Sequence, residues 1–321
     1  ARYDGDGTFD LSSTTKSTTV SVGQATTKTK LAVSQPSVVY GDEQAVRLSV
    51  VVAPEYTGAP AGKVTISSGA TSLCVATLSG GAGGCTLSAT RFGVGGEAFT
   101  AAYAATPDFA ASVSGTARLS ITVASSKTVL KESKTSVVFG DEQLASLSVT
   151  VSPRYAGVPT GSVTVKAGTA VVCSITLTAA KGSCLLSASE IAAGTASLAA
   201  SYAATANFSA SVSAPVKLVV TKETSKTALT LSKTVVTYGD EQVEDLSVTV
   251  APEYPGTATG TVTIRTGTKV VCSISLSGGK GSCHLTPKEL AAGSHALVAT
   301  YGGSADVSGS LSPSKSLGVS G

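Results

Sequence analysis

The string Tyr40-Gly41-Asp42-Glu43-Gln44 returns as Phe139-Gly140-Asp141-Glu142-Gln143 and as Tyr238-Gly239-Asp240-Glu241-Gln242, at an interval of 99 residues both times. A fixed period over most of a chain constrains the fold more than any local propensity, because every copy must fold in the same way around its own core. The 321 residues therefore read as one module used three times, and not as the two domains that length alone suggests. A unit of about 100 residues is large enough to close one small core.

Inside each module the apolar residues alternate. Leu48, Val50 and Val52 recur as Leu147, Val149, Val151 and as Leu246, Val248, Val250, with Arg47 and Ser49 on the opposite face of the first copy. Period two over this length is the signature of a strand with one buried face. Before it, residues 30–40 read as a short strand pair broken at Pro36, which suits an edge strand that changes sheets. After it come a turn-rich stretch from Pro54 to Gly62, a strand at 63–66, two cysteine-bearing strands around Gly80-Gly81, and a turn at 88–95. Phe99, Ala101 and Tyr103 then share one strand face, and a last strand is expected from about Val113 to Val123. Seven or so short strands separated by turn signals predict an antiparallel β-sandwich. The expected modules are 25–123, 124–222 and 223–321, joined by the short stretches Ala124–Ser126 and Thr221–Ser225. Short joins of similar length predict a repeated angle between modules and an elongated rod.

Residues 1–24 do not open a module. Tyr3 and Phe9 are spaced like Tyr103 and Phe109, and like Tyr202 and Phe208, with a Ser-containing stretch and alternating valines behind them. This segment is expected to be the final strand of a preceding repeat. The chain has no Met, so Ala1 is not expected to be an encoded start.

The cysteines obey the same period. Cys74 and Cys85, Cys173 and Cys184, and Cys272 and Cys283 stand 11 apart, one pair per module. Such a set predicts one disulfide within each module. Metal is a poor rival, because two cysteines without a second pair or histidines make an incomplete zinc site. In the third module Cys272, Ile274 and Leu276 share a face, Gly278-Gly279 turn the chain, and Cys283 and Leu285 return on the same side, so the bridge is expected across a hairpin of neighbouring strands. Disulfides imply an oxidising, extracellular compartment.

These features resemble the bacterial Ig-like domain repeats of long surface and secreted proteins, notably of actinobacteria. The likeness is carried by Thr237-Tyr238-Gly239, Gly260-Thr261-Val262-Thr263, Val271-Cys272 through Gly281-Ser282-Cys283, Leu290-Ala291-Ala292-Gly293-Ser294 and Ala299-Thr300-Tyr301-Gly302-Gly303. It covers nearly the whole chain. It implies tandem Ig-like sandwiches with a surface spacer, adhesive or assembly role, and it implies no activity.

Chemistry is sparse. His284 and His295 are the only histidines, and their counterparts in the other modules are not titratable in the way a Ser-His-Asp set requires. No phosphate-binding glycine loop is present, and no cofactor is expected. Net charge is +3 from 23 basic and 20 acidic residues, too balanced for a nucleic-acid footprint, and aromatics are 5% with no Trp. No apolar run reaches the roughly 18 residues of a membrane-spanning helix. The repeated carboxylates Asp42-Glu43, Asp141-Glu142 and Asp240-Glu241 read first as a solvated turn with Asp capping local amides. A salt bridge to Lys127 or Lys226, or a calcium site, are the other readings. Asn207-Phe208-Ser209 fits a glycosylation sequon. The expected role is a non-enzymatic extracellular stalk, filament or surface-layer component. An adhesin or carbohydrate-binding module using Tyr56, Tyr155 and Tyr254, or an accessory region of a secreted enzyme, are the alternatives. Expected partners are further copies of the chain, other surface proteins or glycans.

Overall fold

The computed structural model describes residues 1–321. The chain falls into two compact units, Ala1–Val123 with Tyr155–Gly157, and Ala124–Arg154 with Val158–Gly321. The first holds one module and the second holds two.

In the first unit β1 (Arg2–Tyr3) and β2 (Ser12–Ser13) form a small hairpin. The module follows with β3 (Thr27–Val33), β4 (Ser37–Val39), β5 (Arg47–Pro54), β6 (Gly62–Ser68), β7 (Thr71–Leu78), β8 (Ala82–Thr86), β9 (Gly95–Tyr103), β10 (Ser112–Val113) and β11 (Ala117–Thr122). One sheet runs β3-β5-β8. The other runs β4-β11-β9-β6-β7, with β10 on β9. The second unit repeats both sheets twice, with identical order.

The alternation that predicted β5 is the reason it sits between the layers. Leu48 and Val50 are fully buried and Val52 nearly so, and they face Val64, Ile66, Phe99, Ala101 and Tyr103 from the other sheet. Tyr103, Tyr202 and Tyr301 are the largest buried side chains of their modules. Each donates its hydroxyl to a carbonyl, Ala61, Thr160 and Thr259 at 2.9, 2.9 and 2.7 Å, so the polar tip of a buried ring is satisfied.

Pro36 lies where the chain leaves one sheet and enters the other, as expected. The pairing that follows was not: β4 runs parallel to β11, with Ser37 opposite Ser120 and Val39 opposite Thr122. The sandwich is therefore mixed and not purely antiparallel.

The cysteine strands also differ from expectation. β7 and β8 share only the tip contact Ser79–Ala82 and then diverge, β7 pairing with β6 and β8 with β5. Continued as a flat hairpin, that tip register would set Cys85 opposite Ala76 and not opposite Cys74. With the strands in different sheets, Cys74 lies opposite Ile66 and Cys85 opposite Leu48, and the Cys74–Cys85 disulfide joins the two layers. Cys173–Cys184 and Cys272–Cys283 do the same in the second unit. Neighbouring-strand stapling is thus replaced by an inter-sheet bridge.

Residues 1–24 carry the hairpin but not the strand. Tyr3 pairs with Ser12 just as Tyr103 pairs with Ser112, Tyr202 with Ser211 and Tyr301 with Ser310. The amide of Asp6 donates to Phe9 O at 2.9 Å, as Thr106 does to Phe109. Residues 15–23 are exposed and lie outside any strand. Within a module the corresponding strand is flanked by β4 and β9, and an isolated segment without such neighbours has nothing to hold it extended.

The tip between the cysteine strands separates the modules. Gly80-Gly81 and Gly278-Gly279 hold positive φ, and in the second module Ala179 and Ala180 hold the same conformation at φ 50° and 64°. A Cβ in the left-handed region costs about 1–2 kcal/mol. Ala180→Gly is therefore expected to raise the stability of the second module by up to about 1 kcal/mol, net of glycine's greater freedom when unfolded, and a denaturant melt of the isolated transition measures it. The three bridges are checked by intact mass before and after reduction under unfolding conditions, with a gain of six hydrogens expected.

Candidate functional site

The repeated Gly-Asp-Glu-Gln turn is the place where every module puts polar groups into its interior. Gly41 turns the chain at φ 86°, followed by a single helical turn over Glu43–Ala45. Asp42 makes no cap to the turn's amides. Its Oδ1 instead accepts from the Gln44 side chain at 3.1 Å, and Asp141–Gln143 and Asp240–Gln242 repeat this at 2.8 and 2.7 Å. The expectation of a solvated Asp-capped turn therefore fails in its main element.

The glutamate is the inward group. Glu43, Glu142 and Glu241 are fully buried. Glu43 Oε2 accepts the amide of Gly41 at 2.9 Å and the amide of Thr90 at 2.8 Å. Glu241 Oε2 accepts Gly239 at 3.0 Å and Lys288 at 2.7 Å, and Glu142 accepts Ser189 at 2.8 Å. The carboxylate thus ties the start of one strand to the loop that precedes β9 in the first module and its counterparts elsewhere. Thr90, Ser189 and Lys288 sit at φ 56°, 58° and 64°, a conformation that a non-glycine residue keeps only when its surroundings impose it. The second oxygen, Oε1, is buried without a partner in all three modules.

For Glu241 the balance of forces is explicit. Burial pushes its carboxyl up, but the amides of Lys288, Glu241 and Gly239 hold it down against added repulsion from Glu289, and the net value lies below the ordinary one. These carboxylates make no ion pair with Lys127 or Lys226. The salt bridges present are Arg2–Asp4 and Lys269–Glu289. No cluster of three or more His, Cys, Asp and Glu has metal-binding geometry, because the adjacent Asp points out while the Glu points in.

The remaining sequence candidates do not converge. His295 Nε2 lies 2.7 Å from Ala291 O, and His284 is exposed on the outer face opposite Asp245. Asn207 is half-buried. Shallow depressions recur at Thr26–Lys28 with Ala53–Glu55 and at Thr224–Lys226 with Ala251–Glu253. The threonine hydroxyl donates to the glutamate in both, Thr26 to Glu55 and Thr224 to Glu253.

The loop tyrosines do not form an aromatic platform. Tyr56 is 71% exposed, but Tyr254 is half-buried at the contact between the second and third modules. An ideal Cβ on Gly140 would stand 2.7 Å from Tyr254 Cβ, so glycine is needed there for the approach as well as for its φ of 85°. Burial and the nearby Asp141 charge raise the Tyr254 phenol above its usual value. The Tyr254 amide is held by the buried Glu223 at 3.0 Å. Across the same contact the Ala193 amide donates to Asp306 Oδ1 at 2.8 Å.

A family model for the bacterial Ig-like domain (group 3) matches residues 31–124, 130–221 and 229–320. The chain belongs to this family. No curated protein matches it. Among solved structures it is similar to invasin, a bacterial integrin-binding protein (13% identity, 85% of this chain and 56% of that one, TM-score 0.45). It is also similar to the fibronectin(III)-like modules of Clostridium thermocellum CbhA (14% identity, 60% and 93%, TM-score 0.25) and to an ICAM-5 D1–D4 ectodomain fragment (13% identity, 91% and 76%, TM-score 0.36). The family assignment and the sandwich architecture make this a tandem array of bacterial Ig-like modules.

The buried glutamate can be tested directly. Glu43→Ala leaves two amides without their acceptor, at about 1–3 kcal/mol each, so the first module is expected to lose about 2 kcal/mol or more in denaturant unfolding. For Glu241 the folded value is depressed, so its contribution is complete at neutral pH and is lost as pH falls below roughly 4.3, the ordinary glutamate value, and through the folded one. Glu241→Gln should flatten that portion of the stability–pH profile of the third module while leaving the first unchanged.

Proposed function

We propose that this chain is a non-enzymatic structural segment of an extracellular protein, a stalk, filament or surface-layer component whose Ig-like modules set distance and orientation. The supporting observation is the way the second and third modules meet. Only residues 222–224 lie between the last strand of one, which ends at Thr221, and the first strand of the next, which starts at Ser225. Tyr254 and Asp306 of the third module also engage Gly140, Asp141 and Ala193 of the second. A tether of three residues with contacts on both sides restricts bending, where a long Gly/Ser linker would permit it. One disulfide per module fits an oxidising compartment. A carbohydrate-stacking role would call for several exposed ring faces, and of the three loop tyrosines Tyr56 is the one well exposed.

Small-angle scattering of the dilute chain tests the reading. The expected result is an elongated particle with little bending between successive modules. A compact particle, or modules that flex freely about the joins, would remove the spacer role. Gly140→Ala places a methyl group against Tyr254 and is expected to loosen the second-to-third join selectively, visible as increased interdomain mobility with both modules still folded.

A further inference from the structure

The outer face of the three-stranded sheet carries one sign of charge. Alternation along β3 turns Thr29 and Leu31 into the core and Lys28 and Lys30 outward, and on β5 Arg47 stands out on the same side. In the second module that face carries Lys127 and Lys131 on the first strand, Ser126–Glu132, and Lys181 on the third, Lys181–Leu185. Neither face holds a carboxylate. In the third module Lys226 and Lys280 remain, but Asp245 stands there too, opposite His284. All of these cations are exposed, and none takes part in the Arg2–Asp4 or Lys269–Glu289 salt bridge. The acidic groups gather in loops instead, such as Asp42, Asp141 and Asp240 in the repeated turn and Asp108 and Asp306 after the tyrosine strand. The five-stranded face spreads Lys63 and Arg118, or Lys166 and Lys217, over a wider surface. In the first module the three-stranded face also runs into a groove of about 600 Å³ lined by Lys28, Lys30, Val51, Ala53, Gly115 and Thr116.

We propose that the three-stranded faces of the first and second modules bind a linear acidic polysaccharide, its carboxylates paired with Lys28, Lys30 and Arg47 in one and with Lys127, Lys131 and Lys181 in the other. Residues two apart on a strand are about 7 Å apart, and the outer strands of three lie about 10 Å apart. A single small anion therefore reaches one cation, whereas an extended chain charged at every unit reaches several. The side chains between the cations are small, Ser49, Val51 and Ala53 in the first module and Ser148, Thr150 and Ser152 in the second. A flat polymer can lie on such a surface, with the lysine stems alongside it. No aromatic ring stands on either face, which removes base stacking and the aromatic anchors on which folded protein partners depend. Lysines on an edge strand also discourage strand addition, but Arg47 lies on the central strand and the groove opens beside the lysines, and edge protection calls for neither. The inference deepens the extracellular structural reading above and rests on it for its biological sense. The scattering experiment contains no polysaccharide and tests that reading alone.

The probe is a fluorescently labelled oligogalacturonate, titrated with the full chain and read by anisotropy. The wild-type chain should bind it and should release it in about 1 M salt, where the screening length falls to about 3 Å. It should not bind the methyl-esterified, uncharged form. One variant combines Lys28→Gln, Lys30→Gln, Arg47→Gln, Lys127→Gln, Lys131→Gln and Lys181→Gln. A control variant combines Lys63→Gln, Arg118→Gln, Lys134→Gln, Lys166→Gln, Lys217→Gln and Lys315→Gln, an equal change of net charge away from the face. All these side chains are exposed, so thermal unfolding should be unchanged in both. The face variant should bind about tenfold or more weakly than wild type and the control less than about threefold more weakly, since exposed charge contacts are individually modest and add over a shared surface. Equal losses in the two variants, or no binding by wild type, would overturn the proposal. Equal binding of the esterified form would overturn it without any variant. Binding of single-stranded DNA of matched charge as tightly as the uronate would overturn it in favour of a nucleic acid. A face variant that aggregates while its monomer keeps full affinity would overturn it in favour of edge protection.

Discussion

Each module depends on how the edges of its sandwich are closed. Two sheets of five or fewer long strands expose edges on both sides, and an open edge is both a route to splaying and a template for unwanted pairing. Here the two sides are closed differently. On one, the chain itself passes from β3 to β4 across Pro36, so the edge strands of both sheets are consecutive in sequence. On the other, β7 and β8 are the terminal strands of opposite sheets, and Cys74–Cys85 joins them. The core between them is made of small side chains, with Val, Leu and Ala outnumbering rings. A thin core of this kind gains less from burial per residue, which makes covalent closure more consequential than in a sandwich built around a large aromatic.

The buried glutamates belong to the same logic. A loop crossing the open end of a sandwich brings amides that no strand can pair. A carboxylate projected from the Gly-Asp-Glu-Gln turn accepts two of them at once in the first and third modules, and holds the residue at Thr90 or Lys288 in a conformation it would otherwise leave. The cost is an Oε1 left without a partner. The turn is thus a fastener within each module, and in the second module it is also the seat on which Tyr254 of the third rests.

How much of this is legible in the sequence follows from what kind of group is responsible. Side-chain alternation announces strands, so Leu48, Val50 and Val52 locate β5 and its copies, and the period locates the modules. The sheet to which a strand belongs is not written in its own residues. β8 reads as the return arm of a hairpin until its pairing with β5 is known, and for that reason the sequence alone suggests a cysteine bridge within one layer. Glu43 reads as a surface group because an acidic pair beside a glycine is usually solvated, and nothing local distinguishes the inward carboxylate from the outward one. Thr90, Ser189 and Lys288 are invisible for a different reason: the backbone amide is the functional group, and the side chain is free to vary among three chemistries. Tyr254 reads as an exposed ring of a binding loop and Asp306 as an ordinary loop residue, since their partners lie in another module, more than 110 residues away in sequence for Asp306.

The parallel pairing of β4 with β11 carries a mechanical consequence. The two strands lie near the entry and the exit of the module, run in the same direction and share a hydrogen-bonded ladder. Tension applied at the two ends of a module pulls them in opposite senses along their common axis, so the ladder bonds are loaded together in shear instead of breaking in succession. The disulfide lies on the opposite edge, between β7 and β8, where it limits how much chain could be drawn out, since the loop between Cys74 and Cys85 stays closed.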